Sequence, residues 1–243
     1  MARRVSWTNN SSGHLGTRIY RAPTLDPQNL PAPVATVGPV AQGETAEWVD
    51  NSGEYGCYAV QDYDAQGVGA LSAEVCVTDP WANVQIGDEI GGGVYAGTHT
   101  DGTNTWHVIF ATQTAESAVG PEWGNYGTST GATNPDDGLA NQTEILTNHD
   151  DGSADAFYHC RDYVDGDGNN DYYLPARNEL ALVDALVGMS HAEFSTDLSA
   201  YRWSSTENSS VNAWTRRFSG SVESTFNKSS TSLRVRPVRR VPV

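Results

Sequence analysis

Short apolar runs, each closed within a few residues by a Gly, Ser, Asn, Thr or Pro cluster, recur along the whole chain. This punctuation limits the fold more than any other feature, because strands tolerate it and long helices do not. The best helical pattern lies at residues 174–186, where Leu180, Val183 and Leu186 share one face and Pro175 occupies a position allowed in a first turn. Elsewhere the sequence predicts many short strands. With 24 Gly, seven Trp and eleven Tyr in 243 residues, turns are plentiful and aromatic side chains suffice to build cores. No apolar run approaches the roughly eighteen residues that a membrane helix needs, so no membrane insertion is expected.

Residues 1–79 read as a first unit. Strand-like runs at 5–7, 17–21, 46–50, 56–61 and 71–77 are joined by turns and by a connection carrying Pro23, Pro27, Pro31, Pro33 and Pro39, a residue tolerated only in loops and edge strands. Runs at this spacing suggest a β-sandwich. The succession Ser-Trp, Ile-Tyr-Arg, Cys-Tyr-Ala-Val, Asp-Ala-Gln-Gly and Leu-Ser-Ala resembles fibronectin type III modules. Cys57 and Cys76 flank a hairpin expected to turn at Gln66-Gly67. A register centred there sets the two cysteines opposite each other at about 4.5 Å between Cα atoms, so either a disulfide or two separate small apolar side chains results. A disulfide implies work outside a reducing cytosol. Residues 80–83, around Pro80 and Trp81, read as a linker.

A second unit is expected over 84–243. Its Gly-rich stretch at 91–93 lacks the Gly-Lys-Ser/Thr of a phosphate loop. A buried strand is predicted at 105–111, short helices at 141–146 and 153–160, and three C-terminal strands around Trp214, Phe226 and Val235. The motifs Trp123-x-x-Tyr126-Gly127, Cys160-Arg161-Asp162-Tyr163, Tyr173-Leu174-Pro175, Trp203-Ser204-Ser205-Thr206-Glu207 and Val235-Arg236-Pro237-Val238-Arg239 follow one another across residues 84–240. In that order they resemble the DUF1566, or Lcl C-terminal, domain family. The resemblance implies a C-type lectin-like fold, found in bacterial surface adhesins and phage structural proteins. The expected fold class is therefore mainly β with an α+β second domain: a fibronectin-like sandwich followed by a lectin-like domain. The calcium-dependent sugar triplets of lectins are absent, so the likeness implies the fold and not sugar binding.

Charge is segregated. Between Arg21 and Arg161 there is no Lys or Arg but twenty Asp and Glu, whereas from Arg202 onward eight basic residues face only Glu207 and Glu223. A net charge of −16 opposes nucleic acid as a partner. The basic C-terminal third is either a receptor patch or the internal counter-charge of the acidic part.

Candidate chemistry is sparse. Asp165, Asp167, Asn169 and Asp171 alternate oxygen-bearing side chains, which reads as a calcium loop or as a polar turn; no other cofactor is expected. His99, His107, His149, His159 and His191 lack zinc spacing, and Cys160 reads as core. No enzymatic constellation is found. Asn208, Ser209, Ser210, Asn212, Arg216, Ser224, Phe226, Asn227 and Ser229 have the composition of an adaptable binding surface. The opening residues lack an apolar signal, although both modules resemble extracellular types. A phage virion component reconciles these observations, because it is assembled inside the cell and displayed after lysis. The expectation is a tail fibre, tail-tip or baseplate adhesin, with a capsid decoration protein or a secreted bacterial adhesin as alternatives. It would join other virion proteins through its first domain, bind a host glycan or protein receptor, and form a homo-oligomer.

Overall fold

A computed structural model describes residues 3–9, 13–52, 56–77, 79–118 and 120–243. The fold is mainly β, built from several sheets, and the chain divides into two compact units, Met1–Asn83 and Val84–Val243. No helix among the described residues is long and apolar enough to cross a membrane.

Unit 1 contains β1 (Arg3–Thr8), β2 (Gly16–Ala22), β3 (Ala35–Val37), β4 (Thr45–Asp50), β5 (Gly56–Asp64), β6 (Gly67–Leu71) and β7 (Val75–Val77). β1 pairs with β4 alone, while β3, β2, β5 and β6 form a second antiparallel sheet that β7 joins through β5. Period-two alternation divides the side chains of that sheet between its faces. Ile19 and Tyr58 pack with Trp7, and Tyr20, Cys57 and Ala59 pack with Leu25. The Pro-rich connection supplies β3, an edge strand pairing only with β2.

The strand expected at 71–77 is interrupted: β6 ends at Leu71 and β7 begins at Val75. The hairpin turns one residue earlier than its sequence suggests, at Ala65-Gln66, where Asp64 Oδ1 accepts from the Gln66 N–H at 2.8 Å. Asp64 therefore pairs with Gly67, a register that would misalign the cysteines. A shift between Gln61 and Tyr63, together with the break after Leu71, restores the alignment of Cys57 with Cys76. The two are joined by a disulfide, their Cα atoms 3.8 Å apart.

Unit 2 runs β8 (Glu89–Ile90), β9 (Gly93–Thr100), β10 (Thr105–Ala111), α1 (Gly138–Asn148), α2 (Asp155–Arg161), α3 (Arg177–Ala181), α4 (Val183–Gly188), β11 (Tyr201–Glu207), β12 (Asn212–Arg217), β13 (Val222–Asn227) and β14 (Val238–Pro242). The last strand returns to the opening sheet beside β10: sheet order is β14-β10-β9-β8, with β11-β12-β13 forming a separate meander. Leu180, Val183 and Leu186 cover the larger sheet through Val94, Val108 and Phe110. A second core gathers Trp123, Ile145, Phe157, Cys160, Trp203 and Val235.

Two expectations change here. The helix expected over 174–186 begins only at Arg177, because Glu179 turns back to accept the Ala176 N–H at 2.8 Å. It then breaks at Leu182. Val235 is fully buried but belongs to no strand; its segment runs beside β11 through a parallel bridge between Arg202 and Arg234.

The segregated charge resolves into internal pairs. Glu116 receives Arg202 at 2.8 Å, Arg236 at 2.9 Å and Arg234 at 3.4 Å, with Arg202 and Arg236 almost fully buried. Arg239 pairs with Asp171, Arg240 with Asp137, Arg216 with Asp184 and Glu223, and Lys228 with Glu207. The basic end of the sequence is thus counter-charge holding the acidic segments of unit 2, and not an open cationic patch. Buried pairs of this kind fix geometry more surely than they add stability.

Candidate functional site

Three loops meet at one end of the β11-β12-β13 sheet. The turn between β11 and β12 is closed by the N–H groups of Asn208 and Ser209, both donating to Asn212 O at 3.0 Å, and by Ser209 Oγ accepting from the Asn212 N–H at 3.1 Å. After β13, Asn227 Oδ1 accepts from the N–H and hydroxyl of Ser229 at 3.0 and 2.8 Å. The Lys228 N–H donates to Val211 O at 3.0 Å and stitches these turns together. The third loop, 123–131, is brought in from far upstream, with Trp123 N–H on Lys228 O at 2.9 Å and Gly127 N–H on Ser210 O at 2.9 Å. Asn125 adopts a left-handed φ of 52°, which its short amide side chain tolerates, and the reversal presents Tyr126 at the tip, 55% exposed.

A buried ion pair supports this tip from beneath. Lys228 Nζ lies 2.5 Å from Glu207 Oε1, both side chains almost inaccessible, and also donates to Thr128 O at 2.9 Å. The Trp123 ring caps the ammonium at 4.5 Å from its centroid. The Glu207 carboxylate further accepts the N–H groups of Thr130 and Gly131 at 3.0 and 3.1 Å. Burial alone would push the Glu207 carboxyl up, but Lys228 and these donors hold it below the usual carboxylate range. Burial in turn lowers the Lys228 ammonium. A 21-residue sequence separation is thereby closed into one fixed platform.

Asn208, Ser209, Ser210, Asn212, Asn227 and Ser229 are therefore brought together. The other residues expected in the surface are not. Arg216 is buried between Asp184 and Glu223. Phe226 stacks on Tyr201 at 4.9 Å and packs against the core. Ser224 lies within β13, pairing with Thr215, away from the turns. Sequence reasoning missed Tyr126 and Val211, which is 37% exposed. The Gly-Asn-Tyr-Gly run at 124–127 was the available signal, since it permits the positive φ that lifts Tyr126 outward. Chemically the tip offers amides, hydroxyls, one phenol ring and a small apolar side chain. These are means of hydrogen bonding and stacking.

The 165–171 loop is not arranged as a cation cage. Asp165 accepts from the N–H groups of Asp167 and Asn169, the Asn169 amide and the Tyr172 hydroxyl, at 2.7 to 2.9 Å. Asp171 is held in a two-pronged pair by Arg239 at 2.6 and 3.0 Å. The loop clamps the Gly-rich turn instead: the Tyr172 hydroxyl, whose proton goes to Asp165, also lies 3.0 Å from Gly92 O, and a Cβ on Gly92 would lie 1.6 Å from Asp165 Oδ2. Among the described residues the only metal-like cluster is Cys57, Glu74 and Cys76, whose sulfurs form the disulfide. Cys160 is fully buried, and burial pushes its thiol well up. His99, His159 and His191 each hydrogen-bond a separate backbone carbonyl. Compared with known proteins, the chain matches no protein-family model and no curated protein.

Proposed function

We propose that this chain is a non-enzymatic binding protein displayed on a bacteriophage particle. Unit 1 serves as the mount, and the loop tip of unit 2 contacts the host surface as part of a tail fibre, tail tip or baseplate. The observation that carries the reading is the tip itself. Three segments distant in sequence converge on one exposed surface rich in Asn, Ser and Tyr, and a buried ion pair fixes it from below. Preorganised loops of this composition suit recognition, because little ordering entropy remains to be lost on binding.

Several features support the two family likenesses. Strands near the two ends of unit 2 pair with each other, β10 with β14, as a looped lectin-like domain requires. In unit 1, two antiparallel sheets that share a core of Trp7, Ile19 and Tyr58 suit a fibronectin-like sandwich. The disulfide fits a protein that meets an oxidising exterior.

Antibody labelling of intact particles from lysates of the source host tests the display. The expected result is gold at the tail end. Labelling confined to the capsid would favour a decoration protein, and unlabelled particles would reject the virion reading.

A further inference from the structure

In unit 1 Val5 and Trp7 of the two-stranded sheet pack with Ile19, Tyr58 and Val60 of the five-stranded one, and a cavity opens beside β1. It is a groove of about 410 Å³, lined by Val5, Trp7, Tyr58, Val60 and Val75, the last 66% exposed. The backbone along its rim is also unsatisfied. Asn9 N–H donates to Glu44 O at 3.0 Å, so by antiparallel alternation Trp7 and Val5 are the residues bonded to β4. The N–H and C=O groups of Ser6 and Thr8 then point to the open edge, where no backbone partner meets them among the described residues. An apolar groove bordered by unpaired backbone groups is complementary to one kind of object, an added β-strand.

We infer that this groove receives an extended strand from a different protein, with apolar residues at alternate positions and a carboxylate where it passes Arg4. A second copy of this chain would instead pair edge to edge and show as a dimer of the free chain. Among the described residues, Arg4 is the one charged residue lining the groove. Its partner Glu47 is half exposed, and such a surface pair is weak enough to be exchanged for an incoming acid. β1 spans six residues, so the guest forms bonded pairs with alternate residues while its inward side chains fill the groove. The inference rests on unit 1 alone and stands whether or not the tip of unit 2 binds a receptor.

The test uses the full chain against a displayed library of nine-residue segments that alternate apolar and polar residues and carry Asp or Glu at either end. Enrichment of alternating sequences is expected, together with protection of the Ser6 and Thr8 amides from hydrogen exchange when the peptide binds. Ser6→Pro removes only an outward N–H, which an edge strand tolerates. It should leave the melting temperature intact and weaken binding about tenfold, the equivalent of one backbone hydrogen bond. Arg4→Glu should reverse the preference for acidic ends. Should Ser6→Pro unfold the domain, Ala73→Trp serves instead, blocking the groove from an exposed position and abolishing binding. The inference is overturned if no alternating sequence is enriched, or if binding ignores the groove-blocking variant. It is equally overturned if the free chain sediments as a dimer with its β1 amides already protected.

Discussion

Replacing Lys228 with Met isolates the ion pair that holds the tip together. The substitution keeps the length of the aliphatic stem but leaves Glu207 buried without its cation. Of the carboxylate's contacts, the Thr130 and Gly131 N–H groups remain and the 2.5 Å contact with Nζ is lost. Breaking a buried pair from one side costs about 3–5 kcal/mol, which for a domain of this size lowers Tm by about 10 °C. Adding Glu207→Gln should recover at least half of that loss, since the amide oxygen still accepts both N–H groups and no charge is stranded. Urea unfolding of the wild type, both single variants and the double variant gives the coupling energy, and hydrogen exchange over residues 126–131 reports the local effect. Because Glu207 is held below the usual carboxylate range in the folded chain, the stability it contributes is present above about pH 4.5 and is lost as pH falls. The gap between wild type and Lys228→Met should therefore close in acid. A loss under about 1 kcal/mol, or strictly additive single effects, would refute the reasoning.

Glu179 behaves oppositely. Burial pushes its carboxyl from 4.5 up to about 7, against the pull of Tyr173 and two backbone donors. The folded chain thus binds this proton more tightly than the unfolded one. That contribution is full below about pH 4.5 and lost as pH rises through 7, on the order of 3 kcal/mol in all. Compared with Glu179→Gln, the wild type should lose that amount between pH 4.5 and 8; parallel stability curves would contradict it. Calcium and a chelator should leave Tm unchanged, because Asp165 and Asp171 already hold protein donors, whereas Gly92→Ala should lower Tm by driving Asp165 off the Gly-rich turn. A calcium-dependent rise of several degrees would reinstate the cation loop. Reducing the disulfide, whose cysteines are 19 residues apart, should destabilise unit 1 by about 3 kcal/mol, and alkylation without reductant should modify Cys160 only after unfolding.

The strands were readable where alternation and turn residues coincide: β10 occupies Thr105–Ala111, the bounds its sequence suggests. Position within a hairpin was less readable. The Ala65-Gln66 turn depends on Asp64 capping an N–H, and its register error is cancelled by irregularities that leave no mark in composition. The helix at 174–186 kept its apolar face but lost its first turn, because Glu179 bonds backward to Ala176. At the tip, Asn and Ser positions were legible from turn chemistry. Arg216 and Phe226 were misjudged because surface composition does not reveal a buried partner: Asp184 lies 32 residues away, and Tyr201 stacks on Phe226 only once the sheet forms. The Glu207–Lys228 pair was hidden for the same reason, as was the internal use of the C-terminal arginines.

The most direct measurement of the central claim is binding of the fluorescent full chain to cells of the source host, compared with a Tyr126→Ser, Asn208→Ala, Asn227→Ala triple variant. The three side chains are exposed. Asn227 also accepts from the Ser229 N–H, worth about 1 kcal/mol, so the variant should melt only a few degrees below the wild type. Saturable binding that falls at least about tenfold in the variant, while Ser6→Pro binds normally, is the predicted result. Equal binding by wild type and variant, or none by either, would contradict the assignment of the tip and leave the groove in unit 1 to be judged by its own peptide assay.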